Sequence, residues 1–312
     1  MTNNNVRIVI GQLNFTVGDI EYNTKKIIKA IKQGSETYDA DIIVFPELSI
    51  SSYPPEDLLL RSAFINSINI ALEKIKSETK NIKVILGYPL RKEEKLYNAC
   101  GLIHKGEIKK TYCKQYLPNY GVFDEKRYFS SGNETCLFEI NGVTAALSIC
   151  EDIWVSKPIA DAAAANAKIL FNINASPYDK NKNSERKKII SKRASESDMH
   201  IVYVNLVGGQ DELIFDGSSM IFDRNGEVIF CAPEFREGLY EANINTEQTK
   251  IKSRETDLNS TKEESIYNGL VIGVKDYVKK NNFTGVVIGL SGGIDSALTL
   301  CIAVDALGPE NV

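Results

Sequence analysis

Short apolar runs alternate with amphipathic stretches along most of the chain. The runs are rich in Val, Ile and Leu, carry few charges and are bounded by glycine, proline or polar residues, which is typical of buried strands. The predicted buried strands are residues 6–12, 40–45, 83–88, 143–149, 169–175 and 201–204. Between several of these runs, apolar residues recur at helical spacing. This alternation predicts an α/β fold.

Hairpins, helices and one irregular loop complete the predicted elements. Turn residues between apolar arms predict hairpins of residues 96–104 with 106–113 and of residues 217–222 with 227–231. The predicted helices are residues 21–33, 58–78, 159–168, 182–197, 264–280 and 297–307. Residues 115–127 are dense in aromatic and charged side chains but show no period, so we expect an irregular loop there.

Four reactive side chains lie at or just after the ends of predicted strands. They are Glu47, Lys114, Cys150 and Ser176. In doubly wound sheets, ligands bind outside the carboxyl ends of the strands. The shared position of these four residues raises the odds of a common site, while unrelated surface or core positions remain an open alternative.

Cys150 is the residue around which the other three are interpreted. It ends an apolar run and is followed by two acids, so we predict that Asp152 caps the next helix and that Cys150 lies on a sharp bend between strand and helix. Such bends carry nucleophiles in other α/β proteins. Taken alone, however, Cys150 is also explained as a buried core cysteine, because free cysteine is among the most buried residue types.

A cysteine nucleophile requires a base, because the thiolate is the reactive form. The sequence has two histidines, His104 and His200, and both lie in positions that indicate structural roles. Glu47 is then the available base. Lys114 could stabilise negative charge on a tetrahedral intermediate, together with backbone N–H groups just after Cys150.

The composition is that of a soluble globular protein. Of the 312 residues 43% are hydrophobic and 25% charged, and the net charge of -4 argues against a protein that coats nucleic acid. The N-terminus lacks a signal-peptide pattern and no window is apolar for long enough to span a membrane. The six cysteines include no C-x-x-C pair, which indicates reduced thiols and no zinc ribbon. We expect a cytoplasmic protein with no metal site.

The C-terminal part has a different organisation. Residues 245–265 are polar and charged and are interpreted as a linker. After the predicted helix 264–280, an apolar strand at 285–290 leads into Ser-Gly-Gly at 291–293 and a further helix. Such a loop can cradle a phosphate, because glycines let backbone N–H groups reach an anion at a helix N-terminus. One βα unit cannot bury both faces of a parallel sheet, so we expect this domain to be incomplete.

Three motifs resemble the Glu-Lys-Cys triad of the nitrilase (carbon–nitrogen hydrolase) superfamily. They are Phe-Pro-Glu at 45–47, Lys114 before Leu-Pro-Asn-Tyr at 117–120, and Cys-Glu-Asp at 150–152. The segments that are similar to the glutaminase domain of glutamine-dependent NAD synthetases are 53–59, 174–178 and 207–212. The resemblance implies a nitrilase-type α-β-β-α sandwich. It also implies that Cys150 attacks the glutamine side-chain amide, Glu47 transfers protons and Lys114 stabilises the oxyanion.

The resemblance further implies a glutamine pocket. The residues in the corresponding positions are Tyr120, Glu125, Trp154, Ser176 and Lys182. Glu125 suits the α-ammonium of the substrate. Lys182 stands where some relatives carry Arg, so Lys182 and its neighbour Arg186 both remain candidates for the α-carboxylate.

The glycine-rich loop resembles the pyrophosphate loop of ATP pyrophosphatases. The ATP-binding residues that this implies are Gly289, Leu290, Ser291, Gly292, Gly293, Ile294, Asp295 and Ser296. The implied organisation is a glutaminase domain at 1–245, a linker at 246–263 and the start of a synthetase domain at 264–312. The glutaminase would need no cofactor, whereas the complete synthetase would use ATP and Mg to amidate nicotinic acid adenine dinucleotide.

Two alternative functions remain open at the level of sequence. The chain could be a free-standing nitrilase-type amidase that acts on another small amide, although the Ser-Gly-Gly loop argues against this. It could also be a glutaminase that is silent without its synthetase partner. The resemblance implies a homo-oligomer, and neither nucleic acid nor membrane is expected as a partner.

Overall fold

The computed structural model describes residues 5–247 and 261–312. Most of the predicted linker at 246–263 lies outside the described residues. The strands are β1 (Asn5–Gln12), β2 (Ile42–Val44), β3 (Lys83–Lys92), β4 (Lys95–His104), β5 (Glu107–Cys113), β6 (Cys136–Ile140), β7 (Val143–Ile149), β8 (Ile169–Asn174), β9 (His200–Asn205), β10 (Val207–Gln210), β11 (Leu213–Asp216), β12 (Met220–Phe222), β13 (Val228–Cys231) and β14 (Gly238–Asn245). The helices are α1 (Ile20–Glu36), α2 (Ser62–Ser77), α3 (Ser156–Ala164), α4 (Lys182–Ser197), α5 (Lys262–Lys280) and α6 (Ile294–Leu307).

Within the described ranges, the strands form two six-stranded sheets and one hairpin. The first sheet has the order β14-β1-β2-β3-β4-β5 and the second the order β13-β12-β9-β8-β7-β6, while β10 and β11 pair only with each other. The central strands of each sheet are parallel, as β1, β2 and β3 show in the first sheet and β7, β8 and β9 in the second. Reactive groups that follow these central strands can therefore meet at the carboxyl edge of a sheet.

Alternation along the central strands assigns each side chain to a layer of the core. In β1, Ile8 and Ile10 lie in the apolar layer that also receives Leu147 and Ile149 of β7, whereas Val9 lies in the layer beneath α1 and α2. A third layer joins the second sheet to α3 and α4. Successive side chains of a strand point to opposite faces, so strands buried on both sides must be apolar throughout. The predicted α-β-β-α sandwich is confirmed.

The predicted strand at 285–290 is wrong. These residues have no strand conformation in the structure, and Val287 and Leu290 are exposed, with relative exposures of 101% and 59%. The backbone of this stretch is held near α6 through Val286, whose N–H donates to the carbonyl of Asn311 at 2.9 Å. The sequence has the composition of a buried strand, but a strand exists only where a neighbour completes its ladder.

Helix α5 packs against the sandwich at the β10–β11 hairpin. The Asp276 carboxylate accepts hydrogen bonds from the Gly209 N–H at 2.7 Å and from the Asn14 amide at 2.6 Å. The Lys280 ammonium donates to the carbonyls of Phe15 and Gly209, both at 2.8 Å. These contacts tie the helix to the edge of the sandwich through backbone groups that would otherwise be unpaired.

Among the described residues, no helix is long and apolar enough to cross a bilayer.

Candidate active site

Glu47 lies three residues beyond the last residue of β2 and is completely buried. Its Oε1 accepts hydrogen bonds from the Lys114 ammonium and the Asn98 amide, both at 2.7 Å. Its Oε2 accepts the backbone N–H of Ala175 at 2.8 Å. A carboxylate held by three donors on two sheets has one defined orientation, which a catalytic base requires.

A glycine on the neighbouring strand makes room for the backbone that carries Glu47. A Cβ added at Gly87 of β3 would lie 2.5 Å from the Leu48 nitrogen and 2.7 Å from the Pro46 carbonyl oxygen. Real Cβ atoms essentially never approach backbone atoms this closely. Only glycine therefore permits the segment after β2 to cross β3 at this point.

Lys114 directly follows β5 and is completely buried between two carboxylates. Its ammonium donates to Glu47 Oε1 at 2.7 Å and to Glu125 Oε1 at 2.8 Å. Burial alone would lower the pKa of Lys114, but the charges of Glu125 and Glu47 outweigh it and raise that pKa well above its ordinary value. Lys114 is therefore a permanent cation in the resting site.

Cys150 lies where β7 turns into a short 3-10 helix that ends at Ile153. Its φ of 42° is in the left-handed region, so the predicted sharp bend is confirmed. Burial and the charge of Glu47 raise the pKa of the Cys150 thiol well above its ordinary value, while Lys114 opposes them. The thiol is therefore protonated at rest and depends on a neighbouring base for activation.

Asp152 does not cap the helix that follows, contrary to the prediction. Helix α3 begins at Ser156, and the residue before it, Val155, makes no side-chain cap hydrogen bond. The buried Asp152 carboxylate instead accepts the backbone N–H groups of Ile149 at 3.2 Å and of Tyr116 at 2.8 Å. The acid thus ties the strand that leads to the cysteine to the segment just after Lys114.

Glu125 lies in the irregular loop and forms one buried cluster with Glu47, Lys114 and Cys150. Its Oε1 accepts the Lys114 ammonium and the Tyr53 hydroxyl, the latter at 3.0 Å. Burial raises the pKa of Glu125 to about 7, with Lys114 lowering it and Glu47 raising it further. Its Oε2 is buried and has no hydrogen-bond partner among the described residues. The contact to a substrate α-ammonium predicted for Glu125 remains a prediction.

Ser176 lies two residues beyond the end of β8 and is buried. Its N–H donates to Asn205 Oδ1 at 2.9 Å, and its carbonyl accepts from the Arg186 guanidinium at 2.9 Å. Arg186 is itself buried and binds both oxygens of the Asp216 carboxylate at 2.7 Å. Of the two candidates for the substrate carboxylate, Arg186 is therefore engaged within the protein.

The remaining predicted glutamine contacts, Tyr120, Trp154 and Lys182, are more exposed than these buried residues. The Tyr120 hydroxyl donates to the Glu151 carboxylate at 3.0 Å and 3.1 Å. The Lys182 ammonium lies over the Trp154 ring, 4.4 Å from its centroid. Lys182 thus keeps a partly exposed cation near this face, which is what a carboxylate ligand requires.

The predicted ATP-binding loop has an open structure. Gly293 precedes α6 as its N-terminal cap residue, and a Cβ added at Gly289 or Gly292 would meet no atom within 4 Å. The Ser291 and Ser296 hydroxyls lie 3.1 Å apart at the start of the helix. These features fit a phosphate, because the space around the backbone N–H groups is free. Within residues 5–247 and 261–312, no group of three or more His, Cys, Asp or Glu side chains could hold a metal ion.

Three buried residues of the cluster were not singled out from the sequence as site residues. Asn98 orients Glu47, Tyr53 binds Glu125, and Asp152 ties the cysteine turn to the lysine segment. Asn98 carries the clearest signal, because an amide inside the apolar run of β4 must find a buried partner. Tyr53 and Asp152 could not be assigned, since their partners lie far away in the sequence.

Two known families match the sequence in succession. The Carbon-nitrogen hydrolase family matches residues 7–251 and the NAD synthase family matches residues 266–312. Among curated proteins, the glutamine-dependent NAD(+) synthetase of Xylella fastidiosa is 39% identical over 315 residues, and that of Aquifex aeolicus is 42% identical over 340 residues. Each alignment covers 98% of this chain, but 57% and 60% of the respective relative.

Solved structures that are similar to this chain include the same kind of synthetase. The glutamine-dependent NAD+ synthetase of Acinetobacter baumannii, in complex with adenosine diphosphate, superposes with a TM-score of 0.95 at 41% identity. That match covers 99% of this chain and 58% of the solved chain. An amidase from Nesterenkonia sp. of the nitrilase superfamily matches 77% of this chain with a TM-score of 0.70 at 22% identity, which shows a shared fold.

Proposed function

Because the chain belongs to the carbon–nitrogen hydrolase family, we propose that it hydrolyses the side-chain amide of L-glutamine through a thioester on Cys150. The observation that carries this proposal is the buried Lys114 ammonium between the carboxylates of Glu47 and Glu125, beside the thiol. The cluster supplies a nucleophile, a base and a fixed positive charge. These are the groups that acyl transfer needs.

In the first half of the reaction, Glu47 accepts the thiol proton as Cys150 attacks the amide carbon. The oxygen of the tetrahedral intermediate gains a negative charge, which the Lys114 ammonium and backbone N–H groups after Cys150 stabilise. When the C–N bond breaks, Glu47 returns the proton to the leaving nitrogen and ammonia departs. A glutamyl thioester remains on Cys150.

In the second half, water attacks the thioester while Glu47 accepts one of its protons. The same donors stabilise the second tetrahedral intermediate. When the C–S bond breaks, Glu47 returns its proton to the Cys150 sulfur, which releases glutamate and restores the thiol. Overall, glutamine and water give glutamate and ammonia. Lys114 keeps its proton throughout, because the flanking carboxylates hold its pKa high.

The match to the NAD synthase family favours glutamine over another small amide. Residues 266–312 match that family, and the similar curated proteins are named glutamine-dependent NAD(+) synthetases. Lys182, Trp154 and Tyr120 would face the α-carboxylate end of the substrate, while Ser176 would line the opposite side. A free-standing amidase would have no use for the phosphate-binding loop before α6.

The chain spans 57% and 60% of the lengths of these two relatives, so the fate of the ammonia is a proposal about a larger protein. The ammonia would be used in the ATP-dependent amidation of nicotinic acid adenine dinucleotide to NAD. The ATP-phosphate contacts would come from residues 289–296, and Mg would be bound with the ATP. The protein would act in the cytoplasm as a homo-oligomer.

The proposed function predicts that the purified chain releases glutamate and ammonia from L-glutamine. Cys150→Ala removes the nucleophile and is expected to abolish turnover, while the circular dichroism spectrum and melting temperature stay near those of the parent chain. Cys301→Ala is the matched control, because this exposed thiol lies on α6 and should not affect turnover.

Two outcomes would overturn parts of the proposal. Undiminished glutamine turnover in Cys150→Ala would contradict the assignment of the nucleophile. No turnover in the parent chain, with Cys150 still reactive toward alkylating reagents, would instead support a glutaminase that is silent without further protein.

A further inference from the structure

Tyr53 makes one polar contact that places it next to the proposed chemistry. It is buried in the turn before the 3-10 helix Glu56–Leu60, and its hydroxyl lies 3.0 Å from Glu125 Oε1. Burial and the charges of Glu125 and Glu47 raise the pKa of Tyr53 well above its ordinary value. The phenol is therefore a hydrogen-bond donor to the carboxylate at every pH where the enzyme would work.

The Tyr53 ring is fixed from two sides. It packs edge-on against Phe215 of β11, with ring centroids 6.3 Å apart, and against Phe123 of the irregular loop at 6.4 Å. Edge-to-face pairs of this kind favour one ring orientation. The direction of the hydroxyl is therefore set by the hairpin and the loop, and it does not depend on Glu125 itself.

The two oxygens of Glu125 have different environments. Oε1 accepts both the Lys114 ammonium and the Tyr53 hydroxyl, while Oε2 is buried and has no partner among the described residues. An unpaired buried carboxylate oxygen is costly, so its persistence calls for a functional explanation. An N–H of the substrate amide, or of the departing ammonia, is a donor that would complete it. Because Glu125 shares the Lys114 ammonium with Glu47, this contact is to the reacting amide and not to the α-ammonium that the resemblance implied.

We propose that Tyr53 is a positioning residue for the amide hydrolysis, because its hydroxyl holds Glu125 with one carboxylate oxygen bound and the other free for an N–H of the substrate. This inference rests on the proposed function. It assigns a role to a side chain that neither touches the thiol nor carries a charge. Loss of the hydroxyl leaves Glu125 free to rotate or to take up a proton.

The charged and titratable groups around Glu125 determine whether its pKa rises or falls when the Tyr53 hydroxyl is removed. They are Lys114 at the end of β5, Glu47 after β2, Tyr53 itself and the Cys150 thiol after β7. Burial and Glu47 favour the protonated form of Glu125, whereas Lys114 and Tyr53 favour the ionised form. Removal of the Tyr53 hydroxyl therefore raises the pKa of Glu125 above its value of about 7.

Tyr53→Phe tests the proposal because it removes the hydroxyl and keeps the ring contacts. The protonated-carboxyl infrared band of Glu125, assigned by its absence in Glu125→Gln, is followed through a pH titration of the whole chain. The midpoint in Tyr53→Phe is expected to rise by about one pH unit, the effect of one hydrogen bond to a charged group. In glutamine turnover, kcat at pH 7 is expected to fall about fivefold, as the ionised fraction of Glu125 falls, and to recover at higher pH, with KM little changed.

Tyr128→Phe is the matched control. The Tyr128 hydroxyl donates to Asp57 at 2.7 Å and so anchors the same loop without contacting the Glu125 carboxylate. In this variant, the titration midpoint of Glu125 and the pH profile of kcat should equal those of the parent chain. A Tyr53→Phe midpoint equal to the parent value would overturn the proposal, as would a loss of kcat that is uniform with pH. A shifted midpoint in a chain that does not hydrolyse glutamine would support the Tyr53 contact and overturn the proposed function.

Discussion

Lys114 is completely buried and yet charged, because two carboxylates face its ammonium. A single buried ammonium would lose its proton, so the carboxylates of Glu125 and Glu47 are what keep Lys114 charged. Removal of Lys114 would leave both buried carboxylates without a counter-charge, which is strongly destabilising.

Asn98 offers a prediction at the residue scale. Its amide donates to Glu47 Oε1 at 2.7 Å, so Asn98→Ala leaves Glu47 with one donor fewer and more freedom to rotate. We expect kcat/KM for glutamine to fall by about tenfold to a hundredfold, since loss of a hydrogen bond to a charged group costs about 1.5 to 3 kcal/mol. Steady-state kinetics measure this change.

The control for this prediction removes a comparable amide far from the site. Asn281 donates to the carbonyl of Tyr277 at 2.8 Å on the surface of the chain, and Asn281→Ala should leave kcat/KM unchanged. Equal kinetics for Asn98→Ala and the parent chain would show that the orientation of Glu47 does not depend on this amide.

At the scale of elements, two glycines determine how closely the segments that carry the site approach one another. Gly87 of β3 faces the backbone before and after Glu47, and a Cβ at Gly132 would lie 2.3 Å from the Cys113 carbonyl oxygen. The Gly132 N–H also donates to the Lys114 carbonyl at 2.8 Å. Both glycines thus act on a segment that carries a charged side chain of the cluster, although neither touches the thiol.

Gly87→Ala is predicted to damage both stability and activity. The added methyl group meets backbone atoms that cannot move aside as a flexible side chain would, so β3 and the segment after β2 must separate. We expect the free energy of unfolding to fall by about 1 to 3 kcal/mol and glutamine turnover to be lost. Denaturant melts and turnover assays on the same preparation test both effects.

Gly269→Ala provides the comparison. Its added Cβ would lie 3.5 Å from the nearest atoms, an ordinary contact, and alanine favours a helix such as α5. This variant should be at least as stable as the parent chain. If Gly87→Ala were equally stable and active, the close approach at β3 would have no role in holding Glu47.

The elements that the sequence predicted correctly are those whose signal is local. The apolar runs that end before Glu47, Lys114 and Cys150 identify the strands, because burial on both faces leaves few other sequences possible. The predicted strand at 285–290 failed, because strand formation depends on a partner that the run itself does not specify. The prediction that Asp152 caps the next helix failed for a similar reason. Its carboxylate binds backbone N–H groups of a segment that follows a strand of the other sheet.

At the scale of the whole molecule, the sandwich and the C-terminal helices are joined by polar contacts. Asp276 and Lys280 of α5 bind backbone groups of Gly209 and Phe15 at the edge of the sandwich. The same hairpin carries Phe215, which packs on Tyr53. The helix that begins the NAD synthase match is thus connected, through one hairpin, to the loop that holds Glu125.

The proposed reaction depends on a covalent intermediate at one of six cysteines. Rapid acid quenching of the chain during turnover of L-glutamine, followed by peptide mass spectrometry, measures that intermediate directly. We expect a glutamyl thioester on the peptide that contains Cys150 and on no other cysteine peptide, with none in Cys150→Ala. Turnover of glutamine with an unmodified Cys150 peptide in every quenched sample, or with the adduct on another thiol, would contradict it.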